Sequence, residues 1–297
     1  MIQRSTSTHR KVTNSKDQNR WRSLTFIAII GFILSIGLIY SESNPSAKSS
    51  LSFYLNLANP YVKFVVINPG MRIEEIADKI GKSITWTDAD KLEFINSAPK
   101  DDYGIMEGFF MPGSYWIKID ATGKEVAEQG MTEFNKQVSE KVLGDKKIKS
   151  SAQKINLETA VRIASIIQRE AAGPKDMNLI SGVIWNRLFK GMTLGMDATL
   201  QYAKGSPEEW WPKVVSSDKK IDSPYNTYSN LGLPPTAISN ISVDALKAAY
   251  SPQTTDCMYY LHDKSRRIHC SKTYEQHKDN IQTYLIGSRR SKDTSKQ

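Results

Sequence analysis

Apolar and polar positions divide this 297-residue chain into segments of different physical character. Leu24–Tyr40 (LTFIAIIGFILSIGLIY) carries no charged residue and approaches the length of a bilayer core, which predicts a transmembrane helix over residues 23–40. The abrupt change to Ser41, Glu42, Ser43, Asn44, Pro45 and Ser46 argues against a buried core helix and predicts an exposed stalk over residues 41–60. Val62–Ile67 (VKFVVI) then reads as a strand, ended by Asn68-Pro69-Gly70. Ile73, Ile76, Ala77 and Ile80 recur at helical spacing, and a second helical pattern covers Ala89 to about Asn96. A small strand-helix-helix module is therefore expected at residues 61–98.

Beyond Gly104 the texture changes, and a larger domain is expected over residues 99–288. Aromatic, Gly and Pro residues crowd Glu107–Trp116 (EGFFMPGSYW), and a helix is predicted from Gly123 to about Val142. After a Lys-rich linker at Gly144–Lys154, Asn156 is placed to cap a long helix over Leu157–Ala172, which Gly173-Pro174 closes; another follows from about Met177 to Phe189. Residues 191–240 contain Pro207, Pro212, Pro224, Pro234 and Pro235 and read as loop-rich. A short helix at Val243–Tyr250, strands at Met258–His262 and Arg266–His269, and a last helix at Thr273–Leu285 complete the pattern. Helices mixed with scattered short strands predict an α+β fold.

Charge sharpens this organisation. The formal net charge is +9, but residues 1–22 contribute +5 and residues 286–297 contribute +3, leaving about +1 for the body between them. A body so nearly neutral lacks the footprint of a nucleic-acid binder. Arg4, Arg10, Lys11, Lys16, Arg20 and Arg22 precede the apolar run, while only Lys48 lies in the ten residues after it. The positive-inside rule then makes residues 1–22 a cytoplasmic tail and puts the body outside, with residues 289–297 a second basic tail. A cleaved secretory signal is the alternative; the long basic segment and the lack of an A-x-A site favour a retained helix, and both readings export the body. Cys257 and Cys270 flank the paired short strands, a spacing compatible with a single bridge or with two free thiols.

Common catalytic signatures are missing. The sequence has no GxGxxG, GxxxxGK[ST] or HExxH, and the spacing of His262, His269 and His277 matches no zinc finger, so no metal and no cofactor is expected. S-x-x-K occurs at Ser97, Ser151 and Ser216 without the further motifs a penicillin-binding-type serine enzyme requires. The helix from Leu157 is more informative. At about 100° per residue, Glu158, Arg162 and Arg169 share one polar face, whereas Glu170 falls near about 220°, between Ile166 and Ile163. A carboxyl group on the apolar side of a helix C-terminus is held toward its neutral form, as a general acid for glycosidic cleavage requires. By pattern alone, Glu170 could equally be a structural residue paired to an arginine.

Several blocks carry a family likeness: Ala164–Glu170 (ASIIQRE), Val183–Leu188 (VIWNRL), Met196–Tyr202 (MDATLQY), Tyr225–Tyr228 (YNTY), Gly232–Pro235 (GLPP) and Thr273–His277 (TYEQH). In this order, together with Glu107–Pro112, they resemble the YceG-like family of endolytic murein transglycosylases over about residues 61–285. The resemblance implies cleavage of the MurNAc-β-1,4-GlcNAc bond within peptidoglycan strands, ending in 1,6-anhydro-MurNAc. It implies one carboxylate for both proton transfers, and it makes 61–98 a LysM-like module and 99–288 the catalytic domain. The family motif I-I-E-x-E has its catalytic acid at the second glutamate, which corresponds to Glu170; Gln168 occupies the first position and cannot serve as an acid. Gln168, Asp197, Gln201, Tyr225, Asn226 and Thr227 are expected to contact the glycan. Peptidoglycan, the membrane and the synthesis machinery are the implied partners. A membrane-anchored scaffold that binds peptidoglycan without cutting it is the alternative.

Overall fold

The computed structural model describes residues 53–97, 107–148 and 154–287. The expected membrane segment, both basic tails and residues 41–52 of the expected stalk lie outside the described residues. Among the described residues no helix is long and apolar enough to cross a membrane. Residues 53–57 form a short helix, and the chain from Lys63 onward forms a single compact unit.

That unit is α+β, as the mixed periodicities predict. It begins with β1 (Val62–Ile67), α1 (Ile73–Ile84) and α2 (Asp88–Ser97). β2 (Gly113–Lys118) then pairs with β1, so this sheet joins residues on both sides of the boundary expected at 98. α3 (Gly123–Gln137) continues into a π-helical stretch, Val138–Leu143. Thr122 and Glu125 start α3 with a reciprocal capping box. These elements enclose one apolar cluster, in which Ile76, Ile80 and Phe94 are wholly buried. Each fully buried side chain of this kind contributes roughly 1.5–3 kcal/mol.

The second apolar cluster is built on α4 (Leu157–Glu170) and α5 (Pro174–Phe189). Asn156 caps α4 by accepting from the Thr159 N–H at 2.8 Å, and Pro174 stands in the first turn of α5, where a missing N–H costs nothing. α4 ends two residues earlier than the sequence suggests, because Ala171 is already extended. A further helix, α6 (Asp197–Lys204), lies inside the segment expected to be loop. α7 (Val243–Tyr250) packs on α4 and α5. The antiparallel hairpin of β3 (Tyr259–His262) and β4 (Ile268–Ser271) comes next, then α8 (Tyr274–Asn280), which runs into a π-helical stretch. Cys257 and Cys270 are disulfide-bonded across the hairpin with Cα atoms 5.8 Å apart, a closure that typically stabilises by about 2–4 kcal/mol.

The two clusters meet at a polar seam. Phe110 belongs to the first and Met111 to the second. Phe110 lies so close to α3 that a Cβ at Gly130 would stand 2.2 Å from its ring, which only glycine avoids. The Asn68–Gly70 turn docks on Asn240, whose side chain accepts from Met71 N–H at 2.9 Å and donates to Asn68 C=O at 3.1 Å. Arg72 donates to the Tyr202 carbonyl at 2.9 Å, and the Trp211 indole donates to Glu75 at 2.8 Å. Arg169 donates to the Gly70 carbonyl and lies 3.5 Å over the Trp211 ring. The residue next to Glu170 is thereby tied to the N-terminal module.

Candidate active site

Glu170 is the last residue of α4, and it opens into a cavity of about 220 Å³. This is below the ~300–1,000 Å³ of a typical small-molecule pocket and suits the floor of a site that grips part of a long substrate. The carboxyl group is held from two sides. The Tyr260 hydroxyl, from β3, donates to Oε2 at 2.9 Å, and the Ala198 N–H, in the first turn of α6, donates to Oε1 at 3.3 Å. Among the described residues no arginine or lysine lies within ion-pair distance of it; Arg169 and Arg187 act on it only from farther away.

The electrostatics follow from that arrangement. Burial is the largest influence on Glu170 and raises its pKa above the ordinary carboxyl value; the neighbouring Asp197 pushes in the same direction. The Tyr260 and Ala198 donors and His262 pull the other way without reversing the shift. Some contact with the cavity remains, so the group is enclosed enough to be shifted toward its protonated form yet open enough to reach a ligand. An acid of this kind can deliver its proton to an oxygen that enters the cavity.

Asp197, Tyr228 and Arg187 line the same cavity. Asp197 opens α6, and its Oδ1 accepts from the Tyr228 hydroxyl at 2.6 Å. Arg187, on α5, donates to the Met258 carbonyl at 2.6 Å and to the Leu194 carbonyl, and its guanidinium lies 5.0 Å over the Tyr259 ring. Burial holds the Arg187 pKa below its ordinary value. Gly195, Met196, Tyr259, Tyr260 and His277 complete the lining. Gly195 has φ +57°, a left-handed conformation that favours glycine and lets the chain turn into α6.

Of the expected site residues, the structure brings Glu170 and Asp197 together at this cavity and sets the others elsewhere. Gln168 accepts from the Ser242 N–H at 3.0 Å, satisfying an amide at the start of α7. Gln201 lies one turn along α6 from Asp197, outside the lining. The Tyr225 hydroxyl pairs with Thr236 at 2.8 Å, and its ring packs on Tyr202 at 4.8 Å. Asn226 is wholly buried; it donates to the carbonyls of Lys219 and Ile221 and accepts from the Tyr228 N–H. Thr227, also buried, accepts from the Met196 N–H and pairs with Thr199. Asn226 and Thr227 hold the loops that carry Tyr228 and α6.

The residues that sequence reasoning missed are Tyr260, Tyr228, Arg187 and His277. Arg187, Tyr228 and His277 stand inside motif blocks, which was the available signal, whereas nothing in the local pattern singles out Tyr260. The histidines have separate partners: His262 with Asp176 at 3.1 Å, His269 with Asp263 at 2.9 Å, and His277 stacked on Tyr259. No group of metal-ligating side chains occurs among the described residues.

The chain belongs to the YceG-like family, whose sequence profile matches residues 43–283. It is similar to the endolytic murein transglycosylase of Bacillus subtilis (strain 168), with 32% identity over 200 residues, 66% of this chain and 54% of that protein. It is also similar to the endolytic murein transglycosylase of Streptococcus pneumoniae (strain ATCC BAA-255 / R6), with 29% identity over 197 residues, 64% of this chain and 35% of that protein. The matched span is thus about half or less of the curated relatives' length. A crystal structure of a yceG-like protein from Listeria monocytogenes superposes with a TM-score of 0.64 at 28% identity, covering 73% of this chain and 75% of that one.

Proposed function

We propose that this protein is an endolytic lytic transglycosylase that cuts MurNAc-β-1,4-GlcNAc bonds inside peptidoglycan strands and leaves 1,6-anhydro-MurNAc ends. The observation that carries the reading is the Glu170 carboxyl, enclosed and held by Tyr260 and Ala198 at a cavity floor. Glu170 protonates O4 of the departing GlcNAc as the bond to C1 of MurNAc breaks. Asp197, steadied by the Tyr228 hydroxyl, faces the positive charge that develops at C1. The MurNAc 6-hydroxyl then closes on C1 from the face that O4 has left, and its proton passes to the Glu170 carboxylate. The substrate-facing role falls to Asp197, while Gln168, Tyr225, Asn226 and Thr227 support the loops around it. Family membership and the names of the relatives support the substrate class.

The N-terminal unit fits a LysM-like role in holding glycan. Its sheet presents Phe64 against Trp116, ring centroids 4.8 Å apart, with Phe64 exposed, and aromatic faces suit sugar rings. Residues 23–40 would anchor the chain with its N-terminus in the cytoplasm and the body outside, acting beside the synthesis machinery on new strands. The disulfide supports an oxidising location. If so, the full-length protein sediments with membranes and its body is cleaved by protease added outside protoplasts; recovery in the soluble cytoplasmic fraction would rule this out.

Mass spectrometry of purified glycan strands digested by the full chain tests the activity. Anhydro-ended internal fragments are expected, and a Phe64→Ala, Trp116→Ala variant should raise KM while keeping kcat. Reducing MurNAc ends would make the protein a hydrolase, and intact strands with a folded protein would leave a peptidoglycan-binding scaffold.

A further inference from the structure

Glu170 must be neutral before it gives its proton to O4 and a carboxylate immediately afterwards, inside an enclosed cavity. A carboxylate formed there is costly unless donors are already aimed at it. Two are in place: the Ala198 N–H on Oε1 at 3.3 Å and the Tyr260 hydroxyl on Oε2 at 2.9 Å. Each oxygen keeps a lone pair for the proton that moves. The amide is backbone in the first turn of α6, so Tyr260 is the side chain of the pair. Its strand is anchored independently of Glu170. Arg187 donates to the Met258 carbonyl at 2.6 Å, and Asn186 donates to the Thr255 and Cys257 carbonyls at 2.8 and 3.0 Å. Across the hairpin Tyr260 pairs with Cys270, which is itself bonded to Cys257. A strand tied to α5 and closed by a disulfide thus delivers the phenol to the carboxyl group.

We propose that Tyr260 is the positioning residue of the acid–base: its hydroxyl fixes the plane of the Glu170 carboxyl and holds that group more tightly once the proton has left. The inference rests on the transglycosylase reading and deepens it. A hydroxyl bonds a carboxylate more strongly than a carboxylic acid, because the acceptor is then charged. The interaction therefore grows as the C1–O4 bond breaks, and interactions that grow toward the transition state raise the rate. Two protons move, and neither is that of Tyr260. The Glu170 proton passes to O4 as its bond to C1 breaks, and the carboxylate takes the proton of the 6-hydroxyl as the 6-oxygen bonds to C1. Tyr260 donates throughout, since burial holds its own pKa well above the ordinary phenol value.

The hydroxyl's other neighbour is the Met196 sulfur at 3.5 Å, a weak acceptor, so the carboxyl is its preferred partner. Burial is the largest influence on Glu170 and raises its pKa; the Tyr260 hydroxyl is the strongest of those that lower it, ahead of the Ala198 N–H. The other charged and titratable groups around the carboxyl are Asp197 on α6, Tyr228, Arg187 on α5, His262 on β3 and His277 on α8, with Arg169 beside it on α4. Removing the Tyr260 hydroxyl leaves all of these in place. The pKa of Glu170 then rises further, so the acid stays protonated to higher pH while becoming a weaker proton donor. A change in packing alone would lower activity without that displacement.

The test compares the full-length wild type with Tyr260→Phe on purified glycan strands, across pH, alongside an NMR titration of the Glu170 carboxyl. In Tyr260→Phe, kcat should fall by about 10–10²-fold, the worth of a hydrogen bond to a charged group, with KM little changed. The alkaline limb of its kcat/KM profile and the Glu170 titration should both move to higher pH. An ortho-fluorinated tyrosine at position 260 keeps the shape and is a stronger donor, so it should move both to lower pH. A folded Tyr260→Phe that cuts within a few-fold of wild type, or one that loses activity with the limb and the titration unmoved, would overturn the proposal. If Tyr260→Phe does not fold, an unmoved limb and titration in the fluorinated protein overturn it equally. Absence of cleavage by wild type, with the Glu170 titration still displaced in the variants, would remove the transglycosylase reading and leave the positioning of Glu170 by Tyr260 standing.

Discussion

Glu170→Gln is expected to lower turnover on glycan strands by at least about 10²–10⁴-fold, the usual worth of a general acid, while the protein stays folded. Glutamine matches the shape but has no proton to give to O4. Its amide fits the same hydrogen bonds: the oxygen accepts from Ala198 N–H, and the NH₂ donates to Tyr260, whose own proton turns toward the Met196 sulfur 3.5 Å away. Stability should hold or rise. Burial raises the pKa of Glu170 in the folded state, so its contribution is most favourable below the unfolded carboxyl value and is lost as pH rises through the folded value. Glutamine never ionises and escapes that loss. Product yield by mass spectrometry and urea unfolding at neutral and alkaline pH check both halves. Cleavage retained within a few-fold would move the acid elsewhere, with Asp197 the next carboxyl in the cavity.

How much of this site could be read in advance depends on whether the relevant contact is local. Glu170 was legible because helical periodicity alone places it on the side that packs; seven residues of α4 are buried, and Glu170 stands one turn beyond Ile166 and Ile167 and two beyond Ile163 on that side. Tyr260 was not, because its hydroxyl meets the carboxyl only after the hairpin has folded across a separation of 90 residues. Helix α6 was hidden by the prolines and glycines around it, since turn signals before and after an eight-residue helix outweigh its own weak pattern.

Asn226 and Thr227 teach the opposite lesson. Polar residues in a loop beside a catalytic motif look like ligand groups, yet a buried loop must first satisfy its own backbone. Asn226 makes three such bonds and Thr227 receives the Met196 N–H, so their side chains are already committed. The same requirement explains Gln168, which supplies the Ser242 N–H with an acceptor. Nor did the aromatic block 107–116 read as a strand, because Pro112 and Gly113 interrupt it just where β2 begins.

The strongest pH dependence of stability should come from Glu107, a residue outside the catalytic cavity. It is 2% exposed, accepts from Ile73 N–H at 3.1 Å and from the Tyr202 hydroxyl at 3.4 Å, and has its other oxygen buried without a partner. Burial, with Glu74 nearby, pushes its pKa up to about 8, against the partial offset of the Ile73 N–H and Arg72. A folded pKa near 8 above an unfolded value of 4.5 means that its contribution is whole below about pH 4.5 and lost progressively up to about pH 8, on the order of 5 kcal/mol in all. Glu107→Gln should therefore match wild type in urea unfolding near pH 5 and exceed it by a few kcal/mol near pH 8.5; parallel curves for the two proteins would sink the assignment. The effect reaches the active site because Glu107 holds Tyr202, which lies on α6, and α6 presents Ala198 and Asp197 to the cavity. Ionising Glu107 loosens the seam that fixes this helix, so wild-type activity should fall in the same alkaline range, and Glu107→Gln should extend it upward.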